Sequence, residues 1–323
     1  MKPNIFITRK INESIVQQLQ KYGEVEMWDE EEVPVPRQIL EEKIENIHGI
    51  FCLLTDTIDQ ALLERGKHLK AISNMAVGYN NIDISYARKL GIPVTNTPDV
   101  LTETTADLTF ALLMVTARRI TESERYLREG KWQTWSPMLL TGQDIYGATL
   151  GIIGMGRIGE ALAKRANGFS MNVLYHNRNR KYNVEKKLGV SYAELHKLLE
   201  QSDFVCVMTP YTKETHHLIA DKELKQMKRT AVLINTSRGG VVDEQALYDA
   251  LVNGEIWGAG LDVFEQEPLP HDHPLLQLDQ VVATPHIGSA SIATRLKMAQ
   301  LAATNLIQML NGQKNQYIIN QVK

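Results

Sequence analysis

Residues 149–168, TLGIIGMGRIGEALAKRANG, constrain this chain more than any other stretch. A short β-rich run, TLGIIG, passes into Gly154-x-Gly156-x-x-Gly159, and the glycines open a helical pattern, EALAKRANG. Strand, glycine turn and helix in that order begin a βαβ unit of the kind that receives a dinucleotide. Gly154 permits the tight turn, Gly156 lets a pyrophosphate approach the backbone, and Gly159 lets helix and strand pack closely. The Arg157 and Ile158 amides then stand at a helix N-terminus, where N–H groups and the helix dipole favour phosphate.

The rest of the sequence repeats the alternation of short apolar runs with helical patterns, which implies parallel sheets. Five runs precede residue 100: NIFIT, EVEMW, GIFCLL, AIS and PVTN. Six more follow: TLGIIG, NVLYH, FVCVMT, AVLINT, GAGLDV and VVATP, an order that suits a doubly wound dinucleotide fold. Between the two series, residues 102–130 keep helical periodicity throughout and predict one long helix, suited to a domain crossover or a subunit interface. Ser191 and Glu194 have the spacing of a capping box, and Asp243 is placed to cap EQALYDALVNG. The final amphipathic pattern, SIATRLKMAQLAATNLIQMLNG, is expected to return to the first domain and make it discontinuous.

A chain of 323 residues accommodates two domains. A net charge of −3 with both signs interspersed gives no case for nucleic-acid or membrane binding. The N-terminus lacks a signal-peptide pattern, and the longest apolar stretch, 108–117, is too short to span a bilayer, so a cytoplasmic protein is expected. Cys52 and Cys206 lie in apolar runs and read as buried free thiols; no spacing suggests a metal site.

After the second strand of a dinucleotide fold an acid commonly holds the ribose hydroxyls. Here the run YHNRNR puts Asn177 at that point, followed by Arg178 and Arg180. Asn removes the repulsion of a 2′-phosphate, and the arginines can pair with it through charge-assisted hydrogen bonds. NADP(H) is therefore the expected cofactor, with NAD(H) the alternative.

Ligands of open α/β sheets bind beyond the carboxyl ends of the strands. Arg238 follows AVLIN, Glu267 follows GAGLDV, and His286 follows VVATP. An arginine, an acid and a histidine at one sheet edge suit the reduction of a 2-oxo acid. Arg238 can bind the carboxylate and polarise the carbonyl. His286 can donate the proton, and Glu267 beside it favours the imidazolium.

With these residues in view, the chain resembles the D-isomer-specific 2-hydroxyacid dehydrogenases, and closely their glyoxylate/hydroxypyruvate and 2-ketogluconate reductase branch. The blocks VGYNNID, LTETTADLTFALLMVTARR, GIIGMGRIG, INTSRGGVVDEQAL, GAGLDVFEQEP and TPHIGSA carry the likeness along nearly the whole length. The resemblance implies two doubly wound α/β domains, Rossmann-like and flavodoxin-like, with a cleft between them. The substrate domain would be 1–99 plus 291–323, and the dinucleotide domain 100–290. It implies Arg238, Glu267 and His286 as the catalytic set and Val77 and Gly78 as amide donors to the substrate carboxylate. Asp262 would contact the nicotinamide carboxamide, with Thr236, Gly288 and Thr105 along the cofactor. It further implies a homodimer with the 102–130 helix in the interface. The segment Trp132–Leu140, rich in aromatic and apolar residues, is a candidate to close a substrate pocket, the partner's included. Two departures from neighbouring branches stand out: phosphoglycerate dehydrogenases commonly carry an acid where Asn177 stands, and formate dehydrogenases carry Gln where Glu267 stands. The competing expectations are an NAD-dependent dehydrogenase of another 2-hydroxy acid and a corepressor-like dinucleotide sensor without turnover.

Overall fold

A computed structural model describes residues 2–321. The chain divides into two compact units. One joins the chain through Leu101 to the stretch from Ser291 onward; the other is Thr102–Ala290.

The first unit is built on five parallel strands, β1 (Asn4–Ile7), β2 (Glu24–Met27), β3 (Gly49–Cys52), β4 (Ala71–Asn74) and β5 (Val94–Thr95). Their order is β2-β1-β3-β4-β5, so the sheet reverses direction between β1 and β3. β3 and β4 are buried along their whole length, as strands covered on both faces must be. The helix Ile292–Leu310 packs on β3 and β4, and the Ser73 hydroxyl inside the sheet donates to the Ala302 carbonyl (2.7 Å).

The second unit holds seven parallel strands: β6 (Thr149–Ile153), β7 (Asn172–His176), β8 (Ser191–Tyr192), β9 (Phe204–Val207), β10 (Val232–Asn235), β11 (Gly258–Leu261) and β12 (Val281–Ala283). Their order, β12-β11-β10-β9-β6-β7-β8, places the switch point between β6 and β9. At the carboxyl edge Asn235 pairs with Leu261, and Leu261 with Ala283. The connections leaving β10, β11 and β12 therefore start side by side.

Two expectations from the sequence are corrected. Residues 102–130 form two helices, Thr102–Ala117 and Ile120–Arg128, separated at Arg119, whose φ of +52° is left-handed. The returning chain takes the carbonyl at the break: Gln143 N–H donates to Ala117 O (2.8 Å), and Gly142 packs so closely there that a Cβ would lie 2.2 Å from the same oxygen. Ser191 does not form a capping box. Ser191–Tyr192 pairs with β7 as a seventh strand, and the next helix, Leu195–Gln201, starts from Glu194 without a side-chain cap. Asp243 does cap its helix, accepting from Ala246 N–H at 2.9 Å.

Candidate active site

The glycine loop joins β6 to the helix Arg157–Gly168. Gly154 has φ +105°, a region open to glycine, and a Cβ there would meet the Met208–Thr209 peptide at 2.8 Å. A Cβ on Gly159 would strike Gly154 O at 2.5 Å, whereas one on Gly156 would meet nothing within 4 Å. The first and third glycines are thus required by the protein's own packing, and the second leaves open space. No side chain caps this helix at Gly156. Open backbone at an uncapped helix N-terminus fits the pyrophosphate of a nicotinamide dinucleotide. When bound, such a cofactor supplies or accepts hydride.

Asn177 secures this loop: its Oδ1 accepts from Met155 N–H (3.0 Å) while its amide group reaches Asn179 O (3.3 Å). Arg178, in the same turn, is exposed. Arg180 is committed elsewhere. Its guanidinium grips both Glu185 oxygens (2.8 Å each) and lies over the Tyr182 and Tyr192 rings. The Glu185 carboxyl is pulled down to about 2, chiefly by that hydrogen bond.

Beyond the carboxyl ends of β10 to β12 the structure brings three predicted side chains together. His286 Nδ1–H donates to Glu267 Oε2 (2.7 Å), and Phe264 N–H donates to Glu267 Oε1 (3.0 Å). Burial by itself would raise the Glu267 carboxyl. The His286 hydrogen bond and charge, the Phe264 amide and Arg238 together outweigh it and hold the group below its ordinary value. Arg238 is half-buried, with its guanidinium donating to Ser237 O (2.7 Å). Burial lowers its pKa from the usual arginine value, and the Glu267 charge opposes that shift. Gly239 explains how two connections from different strands come so close. A Cβ there would lie 1.8 Å from the Phe264 carbonyl carbon, so the loop carrying Arg238 rests directly on the turn carrying Glu267.

Asp262 belts the third connection. Its Oδ1 accepts from the Thr284 hydroxyl (2.6 Å) and Ile287 N–H (2.8 Å), and its Oδ2 from Gly288 N–H (2.8 Å). His286 sits inside that belt with φ +53°, a left-handed conformation that costs a non-glycine residue energy. Gly288 lies close to both Asp262 and Thr105. The Thr236 and Thr109 hydroxyls bond at 2.7 Å, and the Thr109 hydroxyl also donates to Thr105 O (2.8 Å). Thr105, Thr236, Asp262 and Gly288 therefore stand near one another.

In the first unit Val77 and Gly78 lie in the loop after β4. Asn96 donates to Val77 O (2.8 Å) and Asn74 to Gly78 O (3.0 Å). Among the described residues no group of three or more His, Cys, Asp or Glu side chains is placed to hold a metal. Likewise, no helix there is long and apolar enough to cross a membrane. Sequence reasoning missed Gly239, Asn96 and the tie made by His217, described below. A glycine pair after an arginine was visible, but the peptide it rests against was not.

The family model for the D-isomer specific 2-hydroxyacid dehydrogenase NAD-binding domain matches residues 110–288. The chain belongs to this family. A glyoxylate reductase of Korarchaeum cryptofilum is 52% identical over 99% of this chain and 97% of its own length. One of Pyrococcus horikoshii is 49% identical with the same coverage of both chains. Among solved structures, a Thermus thermophilus protein superposes with a TM-score of 0.91 at 43% identity, covering 98% of this chain and 99% of its own. The NADPH-dependent glyoxylate/hydroxypyruvate reductase of Sinorhizobium meliloti, solved with NADP and malonate, superposes at 0.87 with 34% identity, covering 99% and 97%. As a member of the family, the protein is an NAD(P)-dependent oxidoreductase acting on the CH–OH group of donors.

Proposed function

We propose that the protein reduces a small 2-oxo acid, glyoxylate, hydroxypyruvate or 2-ketogluconate, with NADPH as the preferred reductant. The product is the 2-hydroxy acid, of D configuration where a stereocentre forms. The observation that carries this reading is the His286–Glu267 hydrogen bond of 2.7 Å, with the loop carrying Arg238 resting on the turn carrying Glu267 at Gly239. Because a carboxylate only accepts, Nδ1 of His286 carries the proton of that bond. Nε2 is then the nitrogen that gives a proton to the substrate carbonyl oxygen as hydride reaches the carbonyl carbon. Arg238 binds the substrate carboxylate and stabilises negative charge developing on the carbonyl oxygen. The resemblance adds Val77 and Gly78 N–H groups to that carboxylate. The Thr102–Ala290 unit is the dinucleotide domain, and the other unit the substrate domain.

The NADPH preference rests on the uncharged Asn177 and the exposed Arg178 beside it, and the S. meliloti relative is named as NADPH-dependent. Arg180, held by Glu185, serves the shape of that turn. A homodimer is part of the proposal. Ile120, Leu127, Trp132, Trp135, Met138 and Tyr146 are all exposed on one stretch of the chain, and large apolar side chains left in water together suit a partner surface.

Steady-state reduction of glyoxylate by Arg238→Ala and His286→Ala tests the roles. His286→Ala is expected to lower kcat by about 10²–10⁴-fold, the usual worth of a positioned general acid. Arg238→Ala is expected to lower kcat/KM by about 10²-fold or more, as loss of a charge-stabilising donor does. Wild-type rates in either folded variant refute its assignment. Arg178→Ala is expected to raise KM for NADPH by roughly 10–100-fold, the worth of one charge-assisted hydrogen bond, and to leave KM for NADH unchanged.

A further inference from the structure

His217 lies outside every role assigned so far. It sits in the connection that follows β9, with φ of +49°, left-handed. Its backbone N–H donates to Gly240 O (2.9 Å), on the loop that carries Arg238. Its side chain Nε2–H donates to Glu265 Oε1 (3.0 Å), on the turn that carries Glu267. Nδ1 of the same ring is 3.5 Å from Asp243 Oδ2, the cap of the helix Glu244–Val252. His216 stacks on the ring at 3.9 Å between centroids. Glu265 is held from the other side by Glu244: its N–H donates to Glu244 Oε1 (2.6 Å), and Glu244 N–H donates back to Glu265 Oε1 (3.3 Å).

These bonds supply what the sheet does not. Arg238 and Glu267 stand three and six residues past the ends of β10 and β11, beyond the strand ladder. The contact of Gly239 with the Phe264–Glu265 peptide limits how near the two connections come. His217 bonds both connections at once and limits how far they part. A side chain left 32% accessible is not there chiefly to fill the core.

We propose that His217 is a positioning residue for the reaction, setting through Gly240 and Glu265 the spacing between Arg238 and the Glu267–His286 pair. The proposal rests on the roles given above to those three side chains. It predicts that His217→Ala lowers kcat for glyoxylate reduction about tenfold, since displacements well under 1 Å already weaken a preorganised site. KM for the cofactor should stay unchanged. His217→Gln, whose amide can reach the same acceptor, should restore most of the rate. In a Glu267→Gln background the effect of His217→Ala should shrink to about twofold or less, because a residue acting through Glu267 is not additive with its loss. If His217→Ala does not fold, Glu265→Ala removes the same tie from the other side, with the same expected pattern.

An unchanged kcat, a failure of Gln to rescue, or a full tenfold loss in both backgrounds overturns the proposal. A Glu267→Gln enzyme running at the wild-type rate overturns the reading of the dyad itself, and this proposal with it. A crippled Glu267→Gln beside an unaffected His217→Ala overturns only the role of His217.

Discussion

Replacing Gly239 with alanine adds one methyl group at the tightest contact near the candidate site. The new Cβ would fall 1.8 Å from the Phe264 carbonyl carbon, 2.1 Å from its oxygen and 2.2 Å from Glu265 N. All three are backbone atoms, so no rotamer change relieves the clash. Ordinary contact begins near 3.4 Å, so the loop carrying Arg238 and the turn carrying Glu267 must part by about 1.6 Å (3.4 less 1.8). Overpacking of that kind costs roughly 1–3 kcal/mol of stability. The effect on catalysis should be larger, because a misplacement of about 1 Å costs on the order of 10²-fold in rate. Gly239→Ala is therefore expected to remain folded, to bind NADPH, and to lose about 10²-fold or more in kcat/KM for glyoxylate. Steady-state kinetics, cofactor fluorescence titration and a thermal melt on one preparation check the three parts. Retention of kcat/KM within about threefold would show that the contact does not set the geometry of the site, and the reasoning from Gly239 would fail.

Gly156→Ala makes the opposite case. Its methyl group meets no protein atom, so stability should change by no more than about 1 kcal/mol, as at other helix N-caps, while affinity for NADPH falls; calorimetry with and without cofactor separates the two. Arg180→Ala should loosen the turn without altering the ratio of NADPH to NADH use as much as Arg178→Ala does, which paired kcat/KM values test. The folded Glu267 carboxyl lies below its unfolded value of 4.5, so its stabilising contribution is present above that value and is lost as pH falls through the folded one. Thermal melts from roughly pH 5 to pH 3 should therefore fall more steeply for the wild type than for Glu267→Gln. Asp262→Ala should cut kcat by releasing the His286 loop, and its crystal structure should show Ile287 and Gly288 displaced.

The alternation of strands and helices and the edge at which Arg238, Glu267 and His286 emerge were legible because strand alternation and residue type are local signals. The break at Arg119 was not, because periodicity runs unbroken through residues 102–130 and the chain stops the helix from outside, with Gln143 taking the Ala117 carbonyl. β8 was hidden for a similar reason. Ser191 and Glu194 satisfy the spacing of a capping box, yet pairing with Leu174 and Tyr175 draws Ser191–Tyr192 into the sheet. Arg178 and Arg180 are both exposed, and the grip of Glu185 on Arg180 is a contact that the run YHNRNR does not show. For Asp262 the family likeness suggested a cofactor contact, and the structure adds a task that no spacing reveals, three hydrogen bonds around His286.

The most direct test of the proposed reaction is the initial rate of NADPH and NADH oxidation by the purified protein, measured in parallel with glyoxylate, hydroxypyruvate and 2-ketogluconate. Turnover of at least one of these acids is expected, with kcat/KM for NADPH exceeding that for NADH by about tenfold or more, as a charge-assisted contact to the 2′-phosphate requires. Faster turnover with NADH would contradict the reading of Asn177 and Arg178, and no oxidation of either cofactor with any of the three acids would contradict the proposed reaction itself.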